Sequence, residues 1–121
     1  MLKVMLIEDD KTMLSLLSTL LKMEGFQIVP LTTEQTVDDF LATMRREKPD
    51  AALVDVHLQH ANGIELLGRL RKDPDLSSTR ILMSSGLDMS VDCKKAGADD
   101  FLLKPYMPDE LIQRIRRVLA N

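Results

Sequence analysis

The sequence predicts a single α/β domain: a five-stranded parallel sheet wound on both faces by five helices. Short apolar runs alternate along the chain with longer segments whose apolar residues recur at helical spacing. The polar segments between them are only a few residues long, so the 121 residues read as one domain spanning 1–121, without a linker. Because parallel neighbours need a crossover and every crossover here is a helix, both faces of the sheet should be covered.

Each element has its own signal. "LKVMLI" (2–7) is the first strand, and the next helix carries Met13, Leu16, Leu17, Leu20 and Leu21 on one face until Gly25 ends it. "FQIVPL" (26–31) is a short strand, placed at an edge because Pro30 cannot donate to a ladder. "TTEQ" (32–35) fits a capping box of Thr32 with Gln35 ahead of Val37, Phe40, Leu41 and Met44, and "KPD" closes that helix. "AALVDV" (51–56) is the third strand. Gly63 precedes a helix with Ile64, Leu67 and Leu70 inward, stopped near "DPD" (73–75). "RILMSS" (80–85) is the fourth strand, "DMSVDCKKAG" (88–97) a short helix and "DFLLK" (100–104) the fifth strand. The last helix starts near Pro108 with Asp109 and Glu110 in its first turn, and its inward stripe is Leu111, Ile112, Ile115, Val118 and Leu119.

Composition narrows the function. With 45% hydrophobic and 29% charged residues and a net charge of -3, nothing points to nucleic acid or an anionic membrane. Three Phe, one Tyr and no Trp argue against a base-stacking surface. No apolar run is long enough to span a bilayer, and the acidic turn of "MLKVMLIEDD" is unlike a signal peptide, so a cytoplasmic protein is expected. Cys93 is the single cysteine, which precludes an intrachain disulfide and reads as a reduced, partly buried thiol.

In open parallel sheets ligands sit beyond the C-terminal ends of the strands. Those ends carry Glu8, Asp9 and Asp10 after the first strand, Asp55 at the third, Ser84 and Ser85 at the fourth, and Lys104-Pro105 at the fifth. Crowded carboxylates call for a nearby cation, and few protein oxygens without ligating Cys suit Mg²⁺, which keeps several waters and shares sites with phosphate oxygens. A hydroxyl and an ammonium suit a phosphoryl group rather than the metal. Asp10 reads as the helix N-cap instead of a ligand.

At these residues the sequence resembles the receiver domain of bacterial two-component response regulators, over nearly its whole length. The motifs that carry the resemblance are "LIEDD", "ALVDVHLQHANG", "ILMSSG" and "GADDFLLKP". The resemblance implies a flavodoxin-like, doubly wound sheet of order 2-1-3-4-5. It also implies that Glu8 and Asp9, with Asp55 and the His57 backbone carbonyl, hold Mg²⁺, and that Asp55 is the phosphoacceptor. Ser85 would hydrogen-bond the phosphoryl group, Lys104 would pair with it, and Ser85 and Phe101 would form the switch. A sensor histidine kinase or phosphotransfer protein would supply the phosphoryl group. Output would go to a downstream protein or output domain through the face of the fourth helix, fifth strand and fifth helix, and a homodimer is a further expected partner state. The domain would be no enzyme in the ordinary sense, catalysing only its own phosphorylation and dephosphorylation.

Three departures from the family pattern stand out. Gln59 replaces a usual Pro four residues after Asp55, freeing an N–H and predicting a looser loop. Ser85 and Lys104 are 19 residues apart, a shortening that falls in the fourth helix. Leu87 cannot orient a water, so slow self-dephosphorylation is expected, with the part of His57 left open. The alternative readings are a degenerate receiver that binds protein without phosphorylation, a haloacid-dehalogenase-type phosphatase, and a zinc site at His57 and His60. The phosphatase wants a second Asp where His57 stands, and a three-residue His spacing without Cys is poor for zinc.

Overall fold

The structure, a computed structural model, describes residues 1–31 and 33–120. In chain order the elements are β1 (Lys3–Ile7), α1 (Lys11–Met23), β2 (Gln27–Leu31), α2 (Val37–Glu47), β3 (Ala51–Asp55), α3 (Gly63–Lys72), β4 (Arg80–Ser85), α4 (Ser90–Ala96), β5 (Asp100–Leu103) and α5 (Pro108–Ala120). The strands form one parallel sheet of order β2-β1-β3-β4-β5, the flavodoxin-like arrangement, with Pro30 in an edge strand as expected. Among the described residues no helix is long and apolar enough to cross a membrane.

Strand alternation divides the interior into two cores. Met5, Val54 and Met83 face one way and pack with Phe40 of α2, Leu67 of α3 and Cys93 of α4. Leu6, Leu53 and Leu82 face the other way and pack with Leu17 and Leu21 of α1 and Ile115 of α5. Burying a side chain such as Phe40, which is fully enclosed, contributes about 1.5–3 kcal/mol. Cys93 is likewise fully buried, and burial, with the nearby Asp92 charge, pushes its thiol above the ordinary range.

Two expectations about the helices are corrected. Leu16 is 44% exposed: it lies about 100° around the helix from Leu17, outside the arc that meets the sheet. Leu14 takes part in the packing instead. α2 begins at Val37, capped by Thr36, whose Oγ1 accepts from the Asp39 N–H at 3.2 Å. The expected box of Thr32 with Gln35 rests partly on Thr32, which lies outside the described residues.

Two glycines have specific steric jobs. Gly25, just past α1, has φ +94°, where a side chain is strained. Gly63 opens α3 so close to the end of β3 that a Cβ would sit 2.9 Å from Val56 Cα and overlap the Asp55 carbonyl oxygen. Its N–H donates to the Val56 carbonyl at 2.8 Å, so α3 is anchored against the strand that presents Asp55.

Candidate functional site

Register and alternation place the chemistry at one edge of one face. β1, β3, β4 and β5 are aligned so that Ile7 pairs with Val54, Asp55 with Ser84 and Ser85 with Leu103. Side chains on the α1 and α5 face therefore include Asp55 and Ser84, with Glu8 and Lys104 one step beyond β1 and β5. Asp10 turns the chain into α1 by accepting the Met13 N–H at 3.0 Å, in its expected capping part. Its own N–H donates to Glu8 Oε1 at 3.3 Å.

Carboxylate oxygens of Glu8, Asp9 and Asp55 all lie within 4.8 Å of one another. Glu8 and Asp55 are buried, Asp9 exposed. Lys104 Nζ joins the cluster, donating to Asp55 Oδ2 at 2.8 Å and to Glu8 Oε1 at 3.1 Å. Burial pushes the Glu8 carboxyl above the ordinary glutamate range and hydrogen bonding with Asp9 adds to it, while Lys104 opposes both. For Lys104 burial alone would favour the neutral amine, but hydrogen bonds and charge from Asp55, then Glu8, outweigh it and raise the ammonium. The site is an acid cluster held by one ammonium, still rich in negative charge.

The donor set fits a divalent cation. Three carboxylates converge with one of them open to solvent, no thiolate or imidazole among the described residues joins them, and burial disfavours the Glu8 carboxyl as an anion without more positive charge. The His57 N–H donates to Asp55 Oδ1 at 3.2 Å, which fixes the backbone beside the cluster, and the His57 ring is exposed.

The other expected residues sit differently. Ser85 is fully buried, and its Oγ accepts the Leu87 N–H at 3.1 Å rather than contacting Asp55. Phe101 is 9% exposed and shares the opposite sheet face with Met83 and hence with Ser85, so the two switch candidates lie on one side. Leu87 is 66% exposed at the rim. The N–H that Gln59 has and a Pro would lack donates to the Thr33 carbonyl at 3.2 Å, between the β3–α3 and β2–α2 loops.

Sequence reasoning passed over two features. The Tyr106 ring lines a cavity of about 690 Å³ beside Glu8, Asp9 and Lys104, signalled only by its place after Lys104-Pro105. Arg71 donates to the carbonyls of Gly97, Ser77 and Thr79 and to Asp99, whose Oδ2 also accepts the Ile81 N–H, binding α3, β4 and the α4–β5 turn. No spacing rule marks such a hub.

Residues 4–116 match the family model described as the response regulator receiver domain. The chain belongs to the response regulator receiver domain family. Among relatives, this receiver domain is 38% identical over 122 residues to protein RcaC of Microchaete diplosiphon, covering 98% of the chain and 18% of that protein. It is 34% identical over 122 residues to the transcriptional regulatory protein CpxR of Escherichia coli, covering 98% of the chain and 50% of CpxR. The receiver thus spans a half or less of the length of these two relatives. A solved response regulator receiver domain protein of Methanospirillum hungatei superposes with a TM-score of 0.86 at 27% identity, covering 99% of this chain and 94% of that one.

Proposed function

We propose that residues 1–121 form a phosphorylation-dependent switch in two-component signalling, with Asp55 as the phosphoacceptor. The observation that carries this reading is the Lys104 ammonium bridging Asp55 and Glu8 at 2.8 and 3.1 Å beside Asp9. Asp55 attacks the phosphorus of a phosphohistidine on a sensor kinase or phosphotransfer protein. A P–O bond to Asp55 forms as the P–N bond to the imidazole breaks, and the electron pair leaves with the imidazole.

Glu8, Asp9, Asp55 and the His57 carbonyl would hold Mg²⁺, which supplies charge neutralisation for the phosphoryl oxygens. Lys104 stays against the new phosphoryl group as it leaves Glu8. Ser85 exchanges the Leu87 N–H for a phosphoryl oxygen, and Phe101, on the same sheet face, follows it and biases a pre-existing equilibrium. Val91 on α4, Leu103 on β5 and Met107 ahead of α5 are 64%, 48% and 68% exposed, an apolar surface suited to a downstream protein or a second copy of the chain. Signalling in this reading is cytoplasmic, through protein contact rather than nucleic acid, and Leu87 at the rim leaves the acyl phosphate slow to hydrolyse.

Incubation with Mg²⁺ and acetyl phosphate, followed by intact mass, tests the reading. One phosphoryl group should be added, and Asp55→Asn should abolish the addition. An unlabelled parent would instead favour a degenerate receiver that acts by contact alone.

A further inference from the structure

Tyr106 is 8% exposed, and its hydroxyl is buried with no hydrogen-bond partner among the described residues. A phenolic O–H enclosed in this way is unfavourable unless another state of the molecule satisfies it. The ring lines the same cavity as Glu8, Asp9 and Lys104. Among the charges that act on the hydroxyl, Glu8 is the strongest, ahead of Lys104 and Asp55, while burial does most to hold the proton on the oxygen. Tyr106 is therefore an unused donor beside the acid cluster.

Glu8 has a matching need. It is 3% exposed, and Lys104 donates to its Oε1. Under the function proposed above, Lys104 leaves Glu8 for the phosphoryl group, and Glu8 would be among the residues that hold the cation. A carboxylate has lone pairs to spare after that change, and metal-ligating carboxylates are commonly oriented by an outer hydrogen bond.

We propose that the Tyr106 hydroxyl is the donor that takes over Glu8 when Lys104 departs, holding the carboxylate in its cation-binding orientation. Tyr106 is a positioning residue, since it acts on the reaction only through Glu8. No proton is transferred: the hydroxyl keeps its hydrogen and donates it to a Glu8 oxygen.

The test uses the whole chain and Mg²⁺, with beryllofluoride present throughout as the phosphoryl mimic that draws Lys104 from Glu8. Calorimetric titration of Tyr106→Phe, which keeps the ring and removes only the hydroxyl, should show Mg²⁺ affinity lowered about 10-fold or more, the range for lost outer hydrogen bonds. The metal-free melting temperature should not fall, because the deleted hydroxyl had no partner. In the parent, Tyr106 is the single tyrosine and there is no tryptophan, so near-ultraviolet absorbance reports on this hydroxyl alone and should shift as Mg²⁺ binds. Parent-like affinity in Tyr106→Phe, or a parent spectrum unmoved by saturating Mg²⁺, overturns the inference while leaving Asp55 labelling intact. A parent that neither binds Mg²⁺ nor labels on Asp55 overturns the proposed function, and this inference with it.

Discussion

Replacing Lys104 by Met removes the ammonium but keeps most of the aliphatic stem. The lost contacts are 2.8 Å to Asp55 and 3.1 Å to Glu8, whose side chains are 7% and 3% exposed. At an effective dielectric of about 20, each contact has a gross Coulomb energy of about 5–6 kcal/mol, most of it offset by desolvation. Stranding two enclosed carboxylates should cost about 3 kcal/mol of stability in metal-free protein at neutral pH. Mg²⁺ should narrow that gap, because the variant has lost the cation that competes for the same oxygens. If its affinity rises tenfold, a concentration of about 100 Kd for the parent is about 1,000 Kd for the variant, and the parent gains about 2.7 kcal/mol against about 4.1 for the variant. Urea unfolding in EDTA and in Mg²⁺ measures both. A variant as stable as the parent in EDTA, with a gap that Mg²⁺ leaves unchanged, would refute the electrostatic account.

Three further substitutions probe the frame of the site. Gly63→Ala should cost about 1–3 kcal/mol in urea unfolding and slow Asp55 labelling, since the new Cβ overlaps the backbone that presents Asp55; near-parent behaviour in both would count against the close approach. Arg71→Met should cost about 2–3 kcal/mol by leaving acceptors at Gly97, Thr79 and Asp99 short of a donor, with hydrogen exchange quickening in α4 and the start of β4. The Asp73 carboxyl lies below the ordinary aspartate range, through the Asp75 N–H first and then Arg45. Its folded value is depressed, so its contribution is present above the unfolded value of 3.8 and is lost as pH falls through the folded one. Asp73→Asn should therefore make the acid limb of a stability profile shallower, and an unchanged limb would exclude that linkage.

Much of this architecture is legible in the chain because parallel strands have few ways to be connected. Once β1, β3 and β5 are recognised, the strand-end rule alone gathers Glu8, Asp55 and Lys104, and these are the residues that touch. Periodicity is weaker at the edge of a stripe: Leu16 fits the helical spacing yet faces out, because only the arc around Leu17 and Leu21 meets the sheet. The cap of α2 is Thr36, which the local pattern, read as a box of Thr32 with Gln35, did not single out. The bond from Gln59 to Thr33 joins two loops, and the Arg71 hub joins residues as far as 28 positions apart. Both depend on tertiary placement, which no local signal encodes. The Ser85 hydroxyl accepts the Leu87 N–H, a contact set by the turn after β4 rather than by residue type or strand position.

The most direct measurement is a crystal structure of the chain with Mg²⁺ and beryllofluoride, a phosphoryl mimic. The account predicts a cation among Glu8, Asp9, Asp55 and the His57 carbonyl, with the fluoride group on Asp55 and Lys104 turned from Glu8 toward it. Density showing no cation there, with Lys104 still bridging Glu8 and a bare Asp55, would contradict it.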